Sequence, residues 1–288
     1  MFSATLFVGA LLAYPSYLLV SLFTASKFTD VIIKTTQICG LVFSLFYLKY
    51  ADKLSLENIG LKITPDKALA QFSFGLLYGL LMLAVLAAGL VVIGIYDLNS
   101  NRETNITIII QLLLGALFTG IAVALFEETV FRGALLQGLR KQTNTNTALI
   151  TVSLIYAAVH FIQYPQPATG ETIGWLTAPL AFIPAYSHLI STETLDAFLS
   201  LFMLGLLFGF VRIRTGNLFQ CIGLHAGLVA GIKLFRFFAE YKPDNSFNYL
   251  VSSHDYRLGW LSFIWLLTVT AGYFIYLRRR PGGRIKKI

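Results

Sequence analysis

The sequence predicts an all-α polytopic membrane protein of about eight transmembrane helices, with a polar site buried in the helix bundle. Three observations carry that prediction. Charged residues make up only 12% of the 288 positions, roughly half of the ~25% found in soluble domains. Apolar runs of spanning length recur along the chain. The basic residues gather in short segments between those runs and at the C-terminal end. The 24 Phe and 14 Tyr suit lipid-facing surfaces and interfacial belts. A net charge of +8 would otherwise point to nucleic acid. Its clustering between spans is a topology signal instead, so a nucleic-acid partner is excluded from the reading. Cys39 and Cys221 both lie in apolar runs, and no Cys-x-x-Cys or zinc-knuckle spacing is present.

A spanning helix needs about 20 apolar residues. The first candidate, Ala4–Ala25, lacks the basic start and small-residue cleavage site of a signal peptide, so it is expected as a retained helix. The second is Val31–Tyr50. A polar stretch from Ala51 to Lys67 follows, with Lys53, Lys62, Lys67 and Pro65. Its Leu56–Leu61 core reads as a short segment lying at the interface. The third span, Ala68–Tyr96, is long enough to tilt. Asp97 to Asn105 is a polar break. The fourth span, Ile106–Leu139, would be about 50 Å long at ~1.5 Å per residue. It either kinks or projects past the bilayer, with Gly115, Gly120, Gly133 and Gly138 as soft points.

Arg140 to Thr147 is a basic turn, and the fifth span, Ala148–Ile162, is short. Gln163 to Thr194 reads as a loop with four prolines and no Lys or Arg. The sixth and seventh spans are Leu195–Val211 and Leu218–Phe238, joined by a link holding Arg212 and Arg214. A polar loop, Glu240–Arg257, precedes the eighth span, Leu258–Leu277, and a basic tail ends the chain. No internal repeat is visible, so an inverted-repeat transporter has no support. The domain reading is residues 1–105 as N-terminal spans, 106–240 as a helical core, and 241–288 as the last span and tail. Basic links share one side under the positive-inside rule, which puts both termini in the cytoplasm. The protein is read as an integral, multi-pass membrane protein, in the cell membrane if the host is bacterial.

The chemistry-bearing stretch is Phe126-Glu127-Glu128-Thr129-Val130-Phe131-Arg132, set between two uncharged runs. Ionisable groups at bilayer depth are costly, so they pair, face a cavity and serve a function. Glu128 and Arg132 are four apart, on one helix face, and form a charge-assisted pair. Glu127 points about 100° away and is free to face something else. A carboxylate without an ionic partner in apolar surroundings suits a general base.

Depth tests whether other polar groups meet it. Glu127 lies thirteen positions before Arg140, and His160 thirteen after Thr147, so both sit about 20 Å from one boundary. His225, nine positions past Gly216, sits about 14 Å deep. A His beside Glu127 orients a water, or two His and one Glu hold a metal with an open position. His188 and His254 lie in loops and read as solvated, and Arg212 and Arg214 read as topology anchors.

Taken together, Glu127-Glu128-x-x-x-Arg132, then Tyr156-x-x-x-His160, then Gly223-Leu224-His225-Ala226-Gly227 resemble the CAAX-protease and bacteriocin-processing family of intramembrane proteases. That family includes the Rce1-like prenyl proteases. The approach from Gly209 through Arg212, Arg214, Gly216 and Asn217 to Phe219 is also similar, so the resemblance runs from Leu113 to Gly231. It implies hydrolysis of a peptide bond within the membrane by a glutamate-activated water. The implied site is Glu127 as base, Glu128 paired with Arg132, His160 assisting, and His225 polarising the scissile carbonyl.

No cofactor is expected under that mechanism. The alternative is a divalent metal such as zinc, held by Glu127, His160 and His225. The implied partners are the lipid bilayer and a protein or peptide substrate, lipidated ones included. Two positions depart from the family pattern: Tyr156 stands where Phe is usual, and Val229 where Asn or Asp is frequent. The Val229 change removes a hydrogen-bond donor, and losing one oxyanion donor costs ~10²–10³ in rate. A second reading, from the residues alone, is a non-proteolytic transporter or scaffold that uses the same charges as a polar relay or packing lock.

Overall fold

The computed structural model describes residues 2–50, 55–99, 102–168 and 170–279. Lys53, the tail from Arg280 onward and the side chain of His188 lie outside them. The architecture is an all-α bundle with a single two-stranded antiparallel ribbon among the described residues. Six helices there are long and apolar enough to cross a membrane. They are α2 (Phe28–Tyr50), α4 (Pro65–Val92), a composite from Ile106 to Gln142, α9 (Leu195–Thr215), α10 (Phe219–Phe238) and α11 (Trp260–Arg279).

The first and fifth predicted spans are the apolar helices α1 (Phe2–Ser21), with 20 residues, and α7 (Thr145–Val159), with 15. The shortness of α7 has a consequence. Its length is about 22 Å at ~1.5 Å per residue, less than the ~30 Å bilayer core. Asn144 caps its start through Oδ1, and the helix stops at His160. The histidine therefore sits at a helix end.

Helix starts and stops follow local chemistry. In the polar stretch, Ser55 caps the one-turn helix α3 (Leu56–Ile59), accepting from the Asn58 amide at 3.1 Å. Gly60 ends it at φ 91°, a left-handed conformation that glycine adopts without strain. The predicted interfacial segment is thus a capped turn. Arg212, buried near the end of α9, donates to the Asn58 and Ile59 carbonyls at 3.4 and 3.2 Å. It is an internal strut between α9 and α3 rather than a surface anchor.

At the opposite end, β1 (Tyr96–Leu98) pairs with β2 (Ala239–Tyr241) and ties the C-terminal ends of α4 and α10 together. Lys242 pairs with Asp97 at 2.5 Å there. The expected loop from Gln163 to Thr194 is partly ordered into α8 (Thr177–Leu180) and short 3₁₀ turns. Tyr164, Ala178 and Ala185 from it pack on Ala10, Ala13, Phe28 and Ile32 of α1 and α2.

The centre of the bundle is set by close backbone contact. A methyl at Gly75 of α4 would lie 2.3 Å from the Gln220 carbonyl, and one at Gly227 of α10 would lie 2.4 Å from the Leu76 carbonyl. Small residues at such spacing let two helices pack without intervening side chains. This contact fixes the rotation of α10, and with it the direction of His225. Against the other side, Phe131, Val152, Tyr156, Leu207, Phe208 and Leu224 form the largest apolar core.

Candidate functional site

The composite helix is not uniform. α5 (Ile106–Glu128) passes into a π-helical segment, Thr129–Leu135, and then into α6 (Leu136–Gln142). Gly133, one of the predicted soft points, lies in it. Such widened turns sit frequently at functional sites. Here the widening begins at the residue after Glu128 and carries Arg132 into the interior.

Glu128 and Arg132 are both fully buried. Glu128 Oε1 accepts from Arg132 Nη1 at 3.1 Å, the predicted pair four residues apart. Arg132 Nη2 donates to the Gly205 carbonyl of α9 at 3.3 Å. Its guanidinium lies 4.4 Å from the Tyr156 ring centre and 4.8 Å from that of Phe208. Stacking on aromatic faces suits a planar, weakly hydrated cation in a dry interior.

The same Glu128 oxygen also meets His225 Nδ1 at 2.9 Å. The sequence reading paired Glu128 with Arg132 alone; the structure gives it two partners. An ionised carboxylate only accepts hydrogen bonds, so the proton between them belongs to Nδ1. That leaves Nε2 directed at Glu127, 3.9 Å from its Oε2. Phe208 stacks on the imidazole at 5.2 Å and holds its plane.

Glu127 Oε2 is buried and has no hydrogen-bond partner. The Glu127 side chain borders a cavity of about 370 Å³, whose wall also includes His160, Gln163 and Tyr164. His160 Nδ1 lies 2.7 Å from the Tyr156 carbonyl, so it donates there, and Nε2 is the other ring nitrogen. The Tyr156 ring meets His160 edge-on at 4.8 Å. Tyr164 is in the loop beyond the helices. Burial pushes its phenol up, with the neighbouring Tyr186 adding to the shift, so it enters the cavity wall as a neutral hydroxyl.

All five predicted side chains are thus in one region, but in two groups. Glu128, Arg132 and His225 form a dry network, while Glu127 and His160 face the cavity. Glu127 joins the groups through its approach to His225. Among the described residues no cluster of three or more His, Cys, Asp or Glu side chains is drawn together to hold a metal ion.

The sequence reading missed part of the lining. Thr36, Gln37 and Gly40 of α2 line the cavity, although the early spans were read as scaffold. Four consecutive polar residues, Lys34 to Gln37, in a largely apolar helix were the available signal. His254, read as solvated, is half-buried, with Gln163 Nε2 3.3 Å from its Nδ1 and the Phe161 ring 4.9 Å away. Val229 is half-buried one turn beyond His225.

Residues 109–230 match the family model described as type II CAAX prenyl endopeptidase, Rce1-like. All five site side chains fall inside that segment, and its limits differ by only a few residues from those of the sequence resemblance. Comparisons with curated proteins and with solved structures gave no match. The family description is that of an endopeptidase, and the spanning helices are those of an integral membrane protein.

Proposed function

We propose that the Rce1-like segment hydrolyses a peptide bond of a membrane-associated protein or peptide, with Glu127 activating the attacking water. One observation carries the reading. Glu127, whose buried Oε2 has no hydrogen-bond partner, lines a cavity together with a histidine. In this mechanism a water bound in the cavity gives one proton to Glu127, and its second hydrogen is held by His160 Nε2. The water oxygen bonds to the scissile carbonyl carbon, forming a tetrahedral intermediate. Glu127 then passes its proton to the leaving nitrogen as the C–N bond breaks.

His225 Nε2 donates to the developing oxyanion when the ring carries a proton on each nitrogen. Glu128, which also pairs with Arg132, holds the opposite nitrogen, Nδ1. Val229 contributes no donor. The Gln37 amide, from a residue that lines the same cavity, is a donor of the right kind and is assigned that part. The substrate is membrane-associated because the cavity lies among spanning helices. The family's description supports a prenylated C-terminus as one substrate type.

The transporter or scaffold reading is served by the Glu128–Arg132–His225 network alone, which locks helices together. It gives no reason for a second, unpartnered carboxylate at a cavity. The test is to compare membrane peptides from cells carrying the native protein, Glu127→Gln or His160→Ala. The expected result is a peptide whose length changes only with the native protein, while both variants accumulate and stay folded. Full processing by both variants would defeat the proposal. Metal analysis of purified protein decides the alternative chemistry. Stoichiometric zinc lost together with activity in His160→Ala would replace glutamate-activated water with a metal mechanism.

A further inference from the structure

We propose that a second cavity binds a glycerophospholipid whose anionic headgroup also carries a hydrogen-bond donor. The cavity measures about 590 Å³ and lies among α4, α9, α10 and α11. Its polar lining comes from the ends of those helices. Arg214 is in the last turn of α9, Gln220 in the first turn of α10, and Gln71 in the second turn of α4. Deeper in, Met82, Leu224 and Val269 make the wall apolar. A polar mouth above an apolar floor is the profile of a phospholipid lying along a helix bundle.

Charge selects the class. Arg214 is exposed and forms no ion pair among the described residues. Arg212, two residues earlier, is buried and held by carbonyls. No Asp or Glu lines the cavity, so Arg214 awaits an anion from outside the chain. Arg278 and Arg279 end α11 on the same side. Basic pockets between helices near a membrane surface take anionic headgroups.

A second observation narrows the headgroup. Gln71 Oε1 is buried without a hydrogen-bond partner. It is an acceptor, so phosphate does not satisfy it. A headgroup hydroxyl or ammonium does. Phosphatidylglycerol supplies both features: a phosphate for Arg214 and hydroxyls for Gln71. Phosphatidylcholine has no such donor and no net charge. A chain seated here touches Leu224 and Leu207, the sequence neighbours of His225 and Phe208.

The experiment is native mass spectrometry of the purified protein with dioleoyl phosphatidylglycerol, dioleoyl phosphatidylcholine and inorganic phosphate. Its readout is binding, which stands apart from peptidase activity. Phosphatidylglycerol is expected to bind at least tenfold more tightly than phosphatidylcholine. Arg214→Gln weakens it about tenfold, the scale of one charge-assisted hydrogen bond. Arg214→Lys keeps most of the affinity, and Gln71→Leu loses a few-fold. Millimolar phosphate leaves the lipid in place. Equal binding of the two lipids, or an Arg214→Gln variant that binds like the native protein, would overturn the assignment. Displacement by phosphate alone would overturn it too, making the site one for a free anion. Should Arg214→Gln fail to fold, Gln71→Leu decides, and native affinity there contradicts the proposal.

Discussion

Glu127 and Glu128 are adjacent in the chain and differ in almost everything around them. Glu128 Oε1 accepts from an arginine and a histidine, deep in a dry network packed by Tyr156 and Phe208. Glu127 is at a cavity wall, with one oxygen unpartnered and His225 Nε2 at 3.9 Å. The helix turns by about 100° between them, enough to put one carboxylate in the bundle interior and the other at its cavity. What this teaches is that two identical ionisable groups, adjacent in the chain, can be given different surroundings by direction alone. His225 is the hinge between the two, since its two ring nitrogens face the two carboxylates.

The largest expected effect breaks the structural side. Glu128→Gln leaves Arg132 buried without its carboxylate. Breaking a buried pair from one side costs about 3–5 kcal/mol, so thermal denaturation should show a marked loss of stability together with loss of cleavage. His225→Asn is sharper. The Asn amide replaces Nδ1–H toward Glu128, and nothing replaces Nε2. Stability should fall less than in Glu128→Gln, while kcat falls by ~10²–10³. A variant with near-native kcat would place the oxyanion donor elsewhere.

Gln37→Leu changes a lining residue of the cavity that comes from α2 rather than from the helix of the two glutamates. A drop in kcat of about 10²-fold, with KM and melting temperature nearly unchanged, is expected if Gln37 supplies the donor that Val229 lacks. Installing Asn at Val229 in that variant should then recover part of the rate. The smallest effect belongs to Tyr156→Phe. The ring contacts to Arg132 and His160 persist, so activity should stay within a few-fold of native, as a steady-state assay would show.

Much of this was legible in the sequence because it depends on helix arithmetic. The Glu128–Arg132 pair follows from a spacing of four, and the presence of Glu127 and His160 on one cavity wall accords with counting rise per residue toward a shared boundary. The bond between His225 and Glu128 was not legible. It depends on how α10 is rotated, and that is set by glycines of α4 and α10 in backbone contact. In sequence those glycines show only that a close approach is available, without naming the partner helix. The π-helical segment was hidden for a similar reason. Thr129–Leu135 has no local signature of widened turns, and the burial of Arg132 against Gly205 of a distant helix accompanies it. The end of α7 was hidden too, since an apolar run does not announce that the helix stops at His160.

The central claim is the division of labour between the two glutamates. It is tested most directly by measuring the cleavage rate and the melting temperature of Glu127→Gln beside those of Glu128→Gln. The account predicts that Glu127→Gln melts with the native protein and cleaves nothing, whereas Glu128→Gln loses both stability and activity. Cleavage at the native rate by Glu127→Gln, or a loss of stability as large as that of Glu128→Gln, would contradict it.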